Sequence, residues 1–297
     1  MTAERYRSPY ADALLYEQTR PRYQWDVGSE EVFVSQRLRS LRGEADPWVQ
    51  ALELGCGTGR FTSILATHAA HVHATDPSPG MIEYCRASLP HLTNCRFHLA
   101  TAETAIAAEQ FVGCDLVAAF WSITYPLQAL FELEVDAEGR VQQRAPNEVG
   151  YTRVQRFLKA FFQPGRTYVA LAFDPSSVEQ RWVTAQWTEI GDFPGGSREA
   201  LLDLLFWHLF GLRTDGATVN VRRIRGHLVC QDKVDLERVF LVHHLRGLLP
   251  AARGRDWLRA RLLEDMRELR LPSGGYRVPA GMHLIEVAIP APTGPPS

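Results

Sequence analysis

Two spacings of apolar residues alternate along this chain. Short, largely apolar segments at 51–54, 72–75, 95–99, 115–120 and 167–173 read as strands. Between them the apolar residues recur at helical intervals. Val32, Phe33, Leu38 and Leu41 predict a helix over 30–43. Met81, Ile82, Cys85 and Leu89 predict another, opened by Ser78-Pro79 and ended by Pro90. Val154, Phe157, Leu158, Phe161 and Phe162 predict a third, just ahead of the run at 167–173. Further on, 217–230 reads as a long strand, 236–249 and 257–271 as helices, and 282–289 as a last strand before a proline-rich tail. Strands alternating with helices in this way imply an α/β fold around a parallel sheet.

The first run ends in Glu53-Leu54-Gly55-Cys56-Gly57-Thr58-Gly59-Arg60, followed by Phe61, Ile64 and Leu65 at helical spacing. Three glycines at alternate positions between a strand and a helix mark a sharp turn held against a ligand, because glycine removes the side chains that would block it. A second strand ends at Asp76, about twenty residues after Gly55, the separation at which a carboxylate at the next strand tip meets ribose hydroxyls. A third acidic position follows the strand at 95–99, in Ala102-Glu103. Three consecutive strand tips thus face one ligand. A dinucleotide fingerprint needs G-x-G-x-x-G, whereas Gly55, Gly57 and Gly59 are G-x-G-x-G.

Taken in order, the E-L-G-C-G-T-G-R run at 53–60, Asp76 with Pro77-Ser78-Pro79-Gly80-Met81-Ile82, the Ala102-Glu103 pair and the strand reaching Phe120 resemble the motifs of class I S-adenosylmethionine-dependent methyltransferases. The resemblance covers about residues 45–175. It implies a Rossmann-like, doubly wound, seven-stranded sheet with S-adenosylmethionine as cofactor and S-adenosylhomocysteine as product. It implies cofactor contacts from Tyr16, Glu53, Gly55, Cys56, Gly57, Gly59, Asp76, Pro77, Met81, Ala102, Glu103 and Phe120. In such proteins a Y…R-P-x-Y segment often folds over cofactor and substrate. Tyr16 and Tyr23 are the matching positions here, with a surface helix as the plainer alternative for residues 1–44.

Two stretches depart from the simple pattern. Residues 127–150 alternate around Asp136-Ala137-Glu138-Gly139 and read as an inserted hairpin. Residues 176–216 are rich in large rings: Trp182, Trp187, Phe193, Phe206, Trp207, His208 and Phe210. They read either as a helical insertion burying its own rings or as a cap over the strand tips; the cap is favoured, because strand-tip insertions are where this architecture varies its acceptor site. The core sheet then resumes over 217–290, and 291–297 is expected to fray.

Ligands in this architecture lie beyond the carboxyl ends of the strands. Trp121 and Tyr125, just past the strand at 115–120, therefore point to the acceptor, with Tyr23 and Trp207 as further binding residues. A sulfonium already activates its methyl group, so a base is needed only for an acceptor protonated at working pH. His208 and then Tyr125 are the candidates, with His243-His244 also weighed.

Composition narrows the partners. Thirty-two basic against 34 acidic residues, with no basic run, count against nucleic acid, as does the absence of the N-P-P-Y-type tetrad of base methylases. Five scattered cysteines without a C-x-x-C pair encode neither a disulfide framework nor zinc, and His68, His71 and His73 lack a completing ligand, so no metal is expected and these histidines read as solvated. The first residues lack a signal-peptide pattern and no apolar run is long enough to span a bilayer, so a cytoplasmic location and no membrane partner are expected. The sequence leaves the oligomeric state open, a homodimer included. The leading expectation is methyl transfer to an O or N atom of a small aromatic or apolar metabolite. The same cofactor motif would also serve a non-methylating cyclase or decarboxylase, or a regulatory module.

Overall fold

The computed structural model describes residues 12–43, 46–135, 141–245 and 255–292. Tyr6, Tyr10, the hairpin turn 136–140, the end of the helix expected over 236–249 and the tail 293–297 lie outside them.

The chain opens with α1 (Ala13–Thr19), β1 (Tyr23–Trp25) and α2 (Glu30–Arg42). Ser29 caps α2 by accepting from the Val32 N–H, and the helix buries Phe33, Val34 and Leu38. Five parallel strands follow, β2 (Trp48–Leu54), β3 (Ala69–Asp76), β4 (Cys95–Leu99), β5 (Leu116–Phe120) and β8 (Thr167–Phe173). They are linked through α3 (Thr62–Leu65), α4 (Pro79–Ser88), α5 (Ala102–Ala107), α6 (Thr124–Ala129) and α7 (Asn147–Phe161). Every residue of β5 is buried, as a central strand covered by helices on both faces requires. Between α6 and α7, β6 (Leu133–Val135) and β7 (Val141–Gln143) pair as a separate two-stranded sheet.

After β8 come α8 (Val178–Ile190), α9 (Arg198–Thr214), β9 (Thr218–Cys230), α10 (Lys233–Glu237), a π-helical stretch over Arg238–His244, α11 (Arg255–Asp265) and β10 (Tyr276–Ala288). The main sheet has the order β1-β9-β10-β8-β5-β2-β3-β4. β10 enters between β8 and β9, antiparallel to both.

The sheet has one strand more than expected. The extra strand is β1, from the N-terminal segment, which pairs antiparallel with the C-terminal half of β9 through Tyr23 opposite Leu228 and Trp25 opposite Gly226. Gly226 makes this possible, since a Cβ there would lie 2.4 Å from the Trp25 ring.

The aromatic cap expected over 176–216 is also corrected. Helix α9 starts at the strand tips, where the Arg198 guanidinium carbon lies 5.6 Å from the Phe173 ring centroid. It then descends along the sheet, with Phe206 on His283 and His208 on Phe162, next to Tyr168 at the opposite end of β8. Leu201, Leu202, Leu205 and Leu209 form its buried stripe. The large rings lie off that stripe, and Trp207 and Phe210 are 75% and 64% exposed. Helix α9 is therefore a crossover helix.

Candidate functional site

The carboxyl ends of the parallel strands share one edge, since Leu54 pairs with Thr75, Glu53 with Ala118 and Phe120 with Leu171. At that edge the turn after β2 carries Gly55, Gly57 and Gly59 at φ of 70°, 54° and 85°. The Gly57 N–H donates to Asp76 Oδ2 at 2.9 Å, and the Ser78 N–H donates to Asp76 Oδ1 at 2.8 Å. One carboxylate thereby fixes the glycine turn and the start of α4 together. Burial raises the Asp76 pKa, opposed by these two backbone bonds.

A Cβ on Gly57 would meet no atom within 4 Å, so the turn opens onto free space beside Asp76. This is the cradle that a nucleoside carrying an aminoacid chain requires, and the residues fit it. Beneath the turn, Glu53 is buried and accepts from Thr62 Oγ1 at 2.5 Å. Desolvation pushes its pKa up to about 7. The Cys85 thiol donates to the Gly57 carbonyl at 3.1 Å. Its hydrogen bond with Cys56, with burial, raises the Cys56 pKa well above the ordinary thiol value, so Cys56 is a packing group rather than a nucleophile.

The other side of this edge is built around Trp121, which sits just past β5 at a left-handed φ of 62°, a strained setting for a bulky residue. Its ring stacks on Trp25 at 5.9 Å and Tyr23 at 6.0 Å, and packs on Phe173 at 4.5 Å. Glu30 accepts from both indoles, Trp25 Nε1 at 2.7 Å and Trp121 Nε1 at 3.1 Å, and pairs with Arg60 of the cofactor turn at 2.8 Å. A single buried carboxylate thus ties β1, the β5 tip and the glycine turn into one body.

Above this stack lies a second buried carboxylate. Glu179 Oε1 accepts from the Tyr23 hydroxyl at 2.6 Å and lies 2.9 Å from His244 Nε2. Glu179 is fully buried, and its Oε2 has no hydrogen-bond partner. Burial and the Glu179 charge hold the Tyr23 pKa well above that of a free phenol. Next to this group, Tyr16 packs on His243 at 5.3 Å, and Thr19 Oγ1 lies 3.3 Å from His243 Nδ1. Helix α1 also reaches the cofactor turn, where Thr58 Oγ1 donates to Glu17 at 2.5 Å. Tyr16 keeps part of its ring accessible, but its hydroxyl is desolvated and its pKa is pushed up to about 12.

Most of the sequence-derived positions gather here. Glu53, Gly55, Cys56, Gly57, Gly59 and Asp76 form the turn and its support, Ala102 and Glu103 open α5 behind a Thr101 cap, and Tyr16, Tyr23 and Trp121 line the strand-tip side. Tyr125 is close enough to Tyr16 and Tyr23 for its charge to act on both phenols. Pro77 is exposed, whereas Met81 is 1% exposed and Phe120 is turned inward onto Phe61 at 4.6 Å, so these last two pack beneath the site.

Trp207 and His208 are not in the cleft. His208 lies at the far end of the sheet against Phe162, its pKa lowered by burial, and Trp207 faces solvent. Nor are the early histidines all solvated: His73 Nδ1 lies 3.1 Å from His98 Nε2, with Phe111 against both rings. Glu30, Arg60, Phe173, Glu179 and Arg198 were not legible as site residues. Polar Glu179, Gln180 and Gln186 on the otherwise apolar face of α8 were the available signal.

Comparison with known proteins agrees with this geometry. Residues 51–132 match the family described as a methyltransferase domain. An uncharacterized methyltransferase of Mycobacterium tuberculosis is 36% identical over 84 residues, 28% of this chain and 33% of that protein. The malonyl-[acyl-carrier protein] O-methyltransferase of Brevibacillus brevis is 33% identical over 87 residues, 28% of this chain and 31% of that protein. The matched stretch thus spans about a third of the length of these relatives. Among solved structures, the YcgJ protein of Bacillus subtilis shares the fold with a TM-score of 0.51 at 16% identity, over 88% of this chain and 100% of that one. The glycine turn and the Asp76 tip both lie within the stretch that matches the methyltransferase domain.

Proposed function

We propose that this protein is a methyltransferase that moves a methyl group from S-adenosylmethionine to an O or N atom of a small acceptor with a substantial apolar or aromatic part. The observation that carries this reading is the shared edge: the free space at Gly57 beside Asp76 opens at the same strand tips as the Tyr23, Trp25, Trp121 and Phe173 stack. The cofactor supplies an activated methyl group on a sulfonium. Asp76 would bind the ribose hydroxyls, Gly57 leaves room for the aminoacid end, and Ala102 and Glu103 flank the adenine side. The aromatic stack gives the acceptor a flat apolar wall and holds it near contact distance, and such positioning contributes ~7–11 kcal/mol toward lowering a bimolecular barrier.

Where the acceptor must lose a proton, His244 is the base, in place of His208. Its Nε2 is held by Glu179, as an orienting carboxylate holds a general base, and its ring packs against Phe173 at 6.2 Å. Tyr23, hydrogen-bonded to the same carboxylate oxygen, fixes the Glu179 orientation. The near balance of charge, with no basic run, favours a small molecule over nucleic acid.

The test is turnover of labelled S-adenosylmethionine against a panel of phenols, amines and carboxylic acids, with products read by mass. A gain of one methylene unit, lost in Asp76→Ala, is the expected result. An altered product without that mass gain would instead place the chain among non-methylating relatives of the fold.

A further inference from the structure

Arg198 stands out from every other buried charge at the strand tips. It is the first residue of α9, is 5% exposed, and its Nε and Nη1 have no hydrogen-bond partner. Among the described residues no carboxylate lies within 4.0 Å of its guanidinium. An arginine cannot shed its proton, so at Nε and Nη1 this charge is taken out of water without a hydrogen-bond partner. Its neighbours are the faces of Phe173 at 5.6 Å and Phe193 at 5.8 Å, which offset only part of that cost.

Buried, unpaired cations are retained where something else completes them. Two further observations point to a ligand there. Phe173, under the guanidinium, also touches Trp121 and His244, so the charge sits at the wall of the proposed acceptor cleft. The first turn of α9, whose Ala200 N–H is capped by Ser197, adds the positive end of a 17-residue helix beside Arg198.

We infer that the acceptor carries an anionic group, a carboxylate or an equivalent oxyanion, held by Arg198. The inference rests on the methyl-transfer reading of this cleft and adds the substrate class. A planar guanidinium offers two parallel N–H donors to two oxygens of one anion. The aromatic stack takes the rest of the molecule, so the acceptor is an organic acid with an apolar body. Glu179, whose Oε2 is also unpaired, disfavours a second anion on the Tyr23 side and so orients the acid toward α9.

The full chain saturated with S-adenosylhomocysteine is titrated calorimetrically with benzoate and octanoate, and with benzamide and octanamide as uncharged counterparts. Each acid should bind at least about tenfold more tightly than its amide, because the charge-assisted pair is lost with the charge. In Arg198→Met that preference should vanish while S-adenosylhomocysteine binding persists, which also reports that the variant is folded. Equal binding of acids and amides, no binding of the acids, or a preference that survives Arg198→Met overturns the assignment. Failure of the wild type to bind S-adenosylhomocysteine would instead bring down the methyl-transfer reading, and the acceptor class with it; intact cofactor binding without acid preference removes the acceptor class alone.

Discussion

Single residues decide the cofactor turn. Gly57 combines a left-handed φ of 54° with an open Cβ direction, so Gly57→Val both strains the backbone and fills the space beside Asp76. The strain should lower stability by roughly 1–2 kcal/mol, small enough for the fold to survive. Calorimetry should then find S-adenosylhomocysteine binding abolished in a protein whose circular dichroism is unchanged. Glu53 behaves differently. Its pKa is raised to about 7 from an ordinary value of 4.5, so its contribution to stability is fully present below about 4.5 and is lost as pH rises through about 7. The fully buried carboxyl corresponds to about 3 kcal/mol over that window. Glu53→Gln keeps an acceptor for Thr62 and removes the titration. Urea denaturation should show the variant nearly equal to wild type at the acid end and more stable above neutrality; parallel curves across the range would refute the assigned burial effect.

At the scale of elements, the acceptor site comes from pieces far apart in sequence. β1 brings Tyr23 and Trp25, the β5 tip brings Trp121, α8 brings Glu179, and the π-helical stretch brings His244. Helix α9 contributes only its first turn. Trp207→Ala, on its exposed face, should change stability by no more than about 0.5 kcal/mol and leave acceptor kinetics intact. Tyr23→Phe takes one of two partners from a fully buried carboxylate and should lower turnover about tenfold or more, with S-adenosylhomocysteine affinity retained. Steady-state rates with both substrates varied separately check the pair. An acceptor defect in Trp207→Ala but not in Tyr23→Phe would move the site to the outer face of α9.

At the scale of the whole molecule, the two halves of the site share buried ties. Glu30 joins β1 and the β5 tip to Arg60, and Thr58 joins the turn to α1. A ligand that binds only the folded protein stabilises it by about 2.7 kcal/mol at a hundredfold excess over its Kd. Saturating S-adenosylhomocysteine should therefore raise the melting temperature by several degrees in one cooperative transition. Two separated transitions, only one of them shifted, would show that the cofactor half and the acceptor half unfold independently. No described helix is long enough and apolar enough to cross a membrane.

The α/β architecture, the strand at Thr167–Phe173, the helix at Glu30–Arg42 and the cofactor turn were legible in the sequence because each is a local pattern. Apolar runs, helical periodicity and glycines at a strand end are set by neighbours a few residues away. The acceptor side was not local. Trp207 and His208 were selected for ring density, yet the leucines of α9 decide which face of the helix is buried and turn those rings elsewhere. Residues 23–25 become an eighth strand only because β9 offers a free edge with Gly226 opposite Trp25. Glu179, His244 and Arg198 matter through partners, or missing partners, that lie across the fold. Sequence determined the fold class and the glycine turn, since hydrophobic period and backbone freedom are properties of short segments. Which polar groups end up buried at the strand tips, and which of them remain unpaired, was decided only when burial brought distant segments together.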